Sequence, residues 1–261
     1  GSEMCIRDRH FPESFPVSLV YLKETESTNK YLNDLCNKQC VGELTTVTTD
    51  FQTSGRGQRG NSWESERGQN LMFSFVLYPA FLKARKQFLL SQIISLAIKE
   101  ELDTHVSDVS IKWPNDIYWK DKKICGMLIE NDLTGTHISR SIAGIGININ
   151  QEAFTSPAPN PVSLKQITGQ SYSPEQILAS IMRRIKDYYA LLQTENESVN
   201  SLIADRYTGS LFRKDGFHRY TDANGKFLAR LLRVEPDGRL ILEDQIGTER
   251  TYLFKEVQYD I

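Results

Sequence analysis

The chain runs to 261 residues, 39% of them hydrophobic, with a formal net charge of -2 and a pI near 6.2. That length suits one sizeable core plus a small appended unit, and the weak net charge excludes any global attraction to nucleic acid. The four cysteines, Cys5, Cys36, Cys40 and Cys125, form no CxxC pair and are too sparse for a disulfide framework, so reduced thiols and a cytoplasmic setting are expected.

Residues 1–10 read as a tag remnant, Gly1-Ser2, followed by a stretch unlike the start of a folded unit. The first strand is predicted over Leu19 to Lys23. A helix follows, N-capped by Ser27 or Thr28 and running to about Asn37. The next strand, Leu44 to Thr49, leads into a glycine loop, Gln52-Thr53-Ser54-Gly55-Arg56-Gly57-Gln58-Arg59-Gly60-Asn61-Ser62-Trp63. Glycines let backbone N–H groups approach an anion, and arginine supplies a forked cationic donor, so the loop suits phosphate and carboxylate together. Gly55-x-Gly57-x-x-Gly60 formally satisfies the dinucleotide fingerprint, yet no crossover helix opens there: Asn61 to Arg67 is polar and Leu71 to Tyr78 reads as a buried strand. The same loop approaches a P-loop, but Asn61 stands where the phosphate-reaching lysine belongs.

Leu82 to Leu102 carries apolar residues at helical spacing. Strands are then expected over Val109 to Lys112, Ile117 to Trp119, Ile124 to Glu130 and His137 to Ile149, with Lys120-Asp121-Lys122 as a polar turn. Ser173-Pro174 opens a further helix to about Leu192. Most neighbouring strands are close enough to pair antiparallel, which argues for an α+β fold, a sheet layered on one side by helices. Beyond Arg213 the pattern turns to short alternating segments separated by Asp222-Ala223-Asn224-Gly225 and Pro236-Asp237-Gly238, a small β-barrel of about 50 residues. The division expected is 11–212 and 213–261. The four histidines sit at no metal-ligand spacing, and no apolar run approaches the roughly 20 residues that span a bilayer, so neither a metal site nor a membrane segment is expected.

Four separated motifs occur in order: Glu26-Ser27-Thr28-Asn29; Gln52-Thr53-Ser54-Gly55-Arg56-Gly57; Lys112-Trp113-Pro114-Asn115-Asp116 with Lys123-Ile124-Cys125-Gly126; and Gly144-Ile145-Gly146-Ile147-Asn148. On these the chain resembles the biotin protein ligases. The resemblance implies a class II synthetase-like catalytic domain with a mixed, mostly antiparallel sheet, then a C-terminal SH3-like domain. It also implies the chemistry: biotin and ATP, the latter with Mg²⁺, give biotinyl-5′-AMP, and the biotinyl group passes to a lysine of a biotin carboxyl carrier protein.

Carried over residue by residue, the resemblance assigns the biotin ring to Ser27, Thr28, Asn29 and Gln52, and close backbone approach to Gly55, Gly57, Gly126, Gly144 and Gly146. Arg56 meets carboxylate and phosphate. Gln58, Arg59, Trp63, Asn115 and Asn148 fall on the nucleotide side. Lys123 is the expected catalytic cation between the two anions; its other reading is a solvated turn lysine. Asp116 either positions and deprotonates the acceptor lysine or is a turn aspartate, Ser27 or Thr28 either binds ligand or caps a helix, and Trp63 either stacks on adenine or fills a core. Many relatives carry arginine at the positions of Gln58 and Asn61, so weaker retention of the adenylate is expected here unless Arg59 compensates. Fewer than 20 residues precede the first strand, too few for a helix-turn-helix domain, so a stand-alone ligase without operator binding is expected, as a monomer or weak homodimer. Lipoate ligation is the alternative within the superfamily, and a non-catalytic biotin sensor the alternative outside catalysis.

Overall fold

Two sheets organise the chain, whose computed structural model describes residues 11–57, 62–156 and 160–261. The elements in order are β1 (Leu19–Leu22), α1 (Thr28–Lys38), β2 (Thr46–Thr49), β3 (Leu71–Leu77), α2 (Phe88–Asp103), β4 (Val109–Lys112), β5 (Asp116–Trp119), β6 (Lys122–Thr134), β7 (His137–Ile147), α3 (Leu164–Thr168), α4 (Pro174–Gln193) and α5 (Glu197–Gly209). Five strands complete it: β8 (Phe217–Asp222), β9 (Gly225–Val234), β10 (Leu240–Asp244), β11 (Glu249–Tyr252) and β12 (Gln258–Tyr259). The first sheet has seven strands in the order β1-β2-β3-β7-β6-β5-β4. Its pairs are antiparallel except β1 with β2. There α1 returns the chain across the sheet, so the next strand runs in the same direction.

Strand β3 explains the layering. All seven of its residues are buried, Ser74 among them. Successive side chains of a strand point to opposite faces. Phe73, Phe75 and Leu77 join the large core with Leu90, Ile94 and Leu178 of α2 and α4, whereas Val76 packs with Leu22, Val47, Ile142 and Leu32 of α1. Helices therefore cover both faces, which corrects the expectation of one helical side. A strand buried on both faces reads as one continuous apolar run and carries no sign of sidedness. Each fully buried phenylalanine of this strand contributes about 1.5–3 kcal/mol by transfer from water.

The second sheet, β11-β10-β9-β8-β12, is antiparallel throughout and fits an SH3-like domain. Its turns fall where expected, and Gly225 and Gly238 adopt positive φ of 116° and 95°, a conformation that side chains disfavour. It is joined to the first sheet by Trp113, whose indole Nε1 donates to the Gly238 carbonyl at 2.8 Å and whose ring meets Phe254 edge-on. Helix α5 was not foreseen. It anchors the β4–β5 turn through Tyr207, whose hydroxyl donates to the Pro114 carbonyl at 2.6 Å.

Candidate active site

The face of the large sheet that carries α1 is covered by that helix at one end only. Beyond it, on β7, β6 and β5, lies a cleft of about 450 Å³. At the helix end, Ser27 caps α1 by accepting from the Lys30 amide at 3.1 Å while it also lines the cleft, so capping and exposure to ligand coexist in one residue. The next two side chains leave the helix toward the sheet. The Thr28 hydroxyl lies 2.7 Å from that of Ser74, and the Thr28 amide donates to Gln52 Oε1 at 2.8 Å. Ser74 in turn donates to Asn29 Oδ1 at 2.5 Å, and Asn29 Nδ2 donates to Glu130 at 3.0 Å. Thr28, Asn29 and Ser74 are buried, yet each is hydrogen-bonded, as buried polar groups must be to avoid a penalty. This end of the cleft is neutral, rigid and rich in both donors and acceptors.

Arg56 sits beside it. Its guanidinium reaches Glu130 at 3.5 Å, with both side chains about half exposed. A pair so exposed contributes little to stability, about 0–1 kcal/mol, and leaves the guanidinium free to exchange partners. The base of the loop is closed by pairing of Arg56 with Ser62 and by the Trp63 amide, which donates to the Gly55 carbonyl at 3.2 Å. That closure lays Trp63 across the sheet.

Gly126 and Gly146 are directly paired on β6 and β7, and Gly144 pairs with Ser74 one row along. A Cβ on Gly146 would stand 2.5 Å from Trp63 Cε2, and one on Gly144 would stand 2.3 Å from Asn29 Oδ1. The bare backbone thus accommodates the protein's own indole and amide. The indole Nε1 is a buried donor, and Asn148 Oδ1 at the same floor a buried acceptor, each with no hydrogen-bond partner among the described residues.

The far end is charged. Lys123 is the second residue of β6; its amide donates to the Asn160 carbonyl and its carbonyl accepts from Val162, which fixes the backbone. Its ammonium lies 3.3 Å from Asp116 and 5.8 Å from the Trp63 ring centre. Across Asp116, at the end of β4, stands Lys112, a cleft residue that the motif contained but that was not assigned a role. Tyr118 and, from the second sheet, Phe254 complete this end.

Of the expected site residues, Ser27, Thr28, Asn29, Gln52, Arg56, Gly57, Trp63, Asp116, Lys123, Gly126, Gly144, Gly146 and Asn148 line the one cleft. Gly55 lies behind it, against Gln52 and Trp63. Asn115 also falls outside the lining: it is buried, with Nδ2 3.5 Å from Ser91, on the face that carries α2. Gln58 and Arg59 lie outside the described residues, so the expectation about adenylate retention falls there too. Ser74 and Glu130 were missed because strand register, not sequence proximity, brings them to the site, and Lys112 was missed although the motif contained it.

Residues 21–148 match the biotin/lipoate A/B protein ligase family, and the chain belongs to it. Its relatives within that family include biotin ligases. It is 28% identical over 238 residues to the bifunctional ligase/repressor BirA of Bacillus spizizenii, covering 90% of this chain and 72% of that protein. It is 31% identical over 153 residues to the biotin–[acetyl-CoA-carboxylase] ligase of Paracoccus denitrificans, covering 55% of this chain and 62% of that one. The structure of biotin protein ligase from Aquifex aeolicus in complex with biotin and ATP superposes with a TM-score of 0.76 at 26% identity, over 93% of this chain and 99% of that one.

Proposed function

We propose that the protein is an ATP-dependent biotin ligase: it joins biotin to ATP as biotinyl-5′-AMP, releasing pyrophosphate, and transfers the biotinyl group to a lysine of a biotin carboxyl carrier protein. The observation that carries this reading is one cleft whose neutral, hydrogen-bonding end at Ser27, Thr28, Asn29 and Gln52, with Arg56 beside it, runs over glycines to a cationic end at Lys123. A ureido ring, neutral and polar with donors and acceptors, needs amide and hydroxyl partners at one end. A carboxylate about to meet an α-phosphate needs cations at the other.

In the first step a biotin carboxylate oxygen attacks the α-phosphorus, and the bond to the bridging oxygen of pyrophosphate breaks. Arg56 and Lys123 offset the repulsion between the two anions and the charge gathered in the transition state. In the second step the neutral ε-amine of the acceptor lysine attacks the carbonyl carbon of the mixed anhydride, AMP leaves with the C–O bonding pair, and the amine gives up a proton. Asp116, beside Lys123, is the group positioned to orient or receive it. Trp63 and Asn148 supply the nucleotide side, and Asn115 acts behind the cleft wall. Magnesium enters as part of Mg-ATP. The working state proposed is a cytoplasmic monomer or weak homodimer, with the catalytic unit over 11–212.

The test is intact-mass analysis of a biotin acceptor domain incubated with the protein, Mg-ATP and either biotin or lipoate. One biotinyl group added only with ATP is expected. A lipoyl adduct instead assigns the chain to lipoate ligation, and tight biotin binding with no adduct from either acid leaves a sensor.

A further inference from the structure

We propose that Lys112 is a phosphate-positioning residue, its ammonium holding the terminal phosphates of the bound nucleotide and the pyrophosphate they become. The inference rests on the ligase reading above and extends it to a residue that reading does not use.

Lys112 lines the cleft, but its ammonium has neither a hydrogen bond nor an ion pair to any described residue. Its ammonium rests on two rings, 4.8 Å from the centre of Tyr259 and 5.6 Å from that of Tyr118. Rings attract a cation without satisfying its N–H groups, so the ammonium keeps donor capacity for a ligand. The residue is half-buried: burial holds its pKa below the ordinary lysine value, with Asp116 opposing and Lys123 and Arg213 pushing the same way. A partly desolvated cation without a counter-ion carries a cost, and the carboxylate paired with it across the strands, Asp116, is already engaged by Lys123. An anionic ligand removes that cost.

Register says which anion. Lys112 pairs with Asp116 across β4 and β5, and Tyr118 pairs with Lys123 across β5 and β6, which sets two ammonium groups on one face with a single carboxylate between them. Displacement at phosphorus runs in line, so the leaving group departs on the side opposite the attacking carboxylate. With biotin entering from the Thr28 end and Lys123 at the reacting phosphorus, the pyrophosphate departs toward Lys112. The facing charges are Asp116, which repels it, and Lys123 and Arg213, which attract it; together with Lys112 the balance is cationic.

The bland alternative, a strut tying the second sheet to β4, differs in what it predicts for charge. Lys112→Met keeps the aliphatic stem and removes the ammonium; Lys112→Arg keeps the charge. Steady-state kinetics with Mg-ATP, inhibition by pyrophosphate, and transfer from preformed biotinyl-5′-AMP separate the steps. For Lys112→Met the expected result is a rise of about tenfold or more in both the KM for ATP and the inhibition constant of pyrophosphate, the scale of one charge-assisted contact. Transfer from preformed adenylate should stay within about twofold of the parent on the same scale, and Lys112→Arg should recover most of the loss. Unchanged pyrophosphate inhibition, or a transfer step that falls as far as the overall reaction, overturns the proposal. If the parent forms no adduct at all, the ligase reading fails instead, and calorimetric titration of pyrophosphate into parent and Lys112→Met still decides whether Lys112 binds it.

Discussion

Replacing Lys123 by alanine lowers biotin-dependent exchange between ATP and pyrophosphate by about 10²–10³-fold, the cost of removing one preorganised charge-stabilising donor. The side chain is held by everything around it: its backbone is bonded on both sides to the 160–162 segment, and its ammonium is set between Asp116 and the Trp63 ring. Such a group stabilises developing charge without having to reorganise first. The same substitution costs the fold little, because the Lys123–Asp116 pair remains 30% and 24% exposed and pairs of that kind contribute about 0–1 kcal/mol. Activity should therefore collapse while the melting temperature moves by a few degrees at most. Loss of exchange in step with loss of folded protein would return Lys123 to a structural role. Lys123→Arg should recover only part of the rate, since a planar fork does not occupy the site of a compact ammonium.

Gly144→Ala is the second substitution expected to act strongly, and it acts through Asn29. The new methyl would lie 2.3 Å from Oδ1, 2.7 Å from Cγ and 2.9 Å from Nδ2 of that residue. The strand cannot retreat, because β7 is paired to β3 on one side and β6 on the other. Asn29 must move instead, and it is bonded to Ser74, Glu130 and the Leu128 carbonyl, with Ser74 leading on to Thr28 and Gln52. Overpacking of this kind costs about 1–3 kcal/mol, and here it also dismantles the neutral end of the cleft. Calorimetry should find biotin affinity lowered by about tenfold or more, as expected for disturbed buried polar contacts, with a lower urea midpoint. Gly209→Ala, where a Cβ meets nothing within 4 Å, is the matching control and should leave both unchanged. Normal biotin affinity in Gly144→Ala would show that Asn29 does not organise the site.

Much of this was legible in the chain itself, and the reasons differ by element. Helix α1 announced itself through the Ser27 cap, and the turns of the second sheet through Gly225 and Gly238, because local chemistry fixed them. Helix α5 did not: its sequence, Glu-Ser-Val-Asn-Ser-Leu-Ile-Ala-Asp-Arg-Tyr-Thr-Gly, buries only Ile203 and Tyr207, too few to print a helical stripe. Strand β2 begins at Thr46, later than expected, because Leu44 takes a positive φ of 69°. The glycine loop and the two lysine motifs drew attention to the right residues, but adjacency in a motif did not decide which side of the sheet each faces. Asn115 and Asp116 are neighbours in sequence, and only Asp116 reaches the cleft. Conversely, Ser74 is one hydroxyl inside an apolar strand, and nothing nearby in sequence links it to Thr28, 46 positions earlier.

The indole lying across Gly126 and Gly146 bears on how affinity is to be understood. Any ligand that uses that floor competes with a tenant already seated there, and part of its intrinsic interaction goes into lifting the ring before any of it registers as binding. A site of this kind holds its ligand more weakly than its contacts would suggest, by the factor that measures how seldom the ring stands clear. The ring that shields the empty backbone from water is, by the same contact, a tax on occupancy.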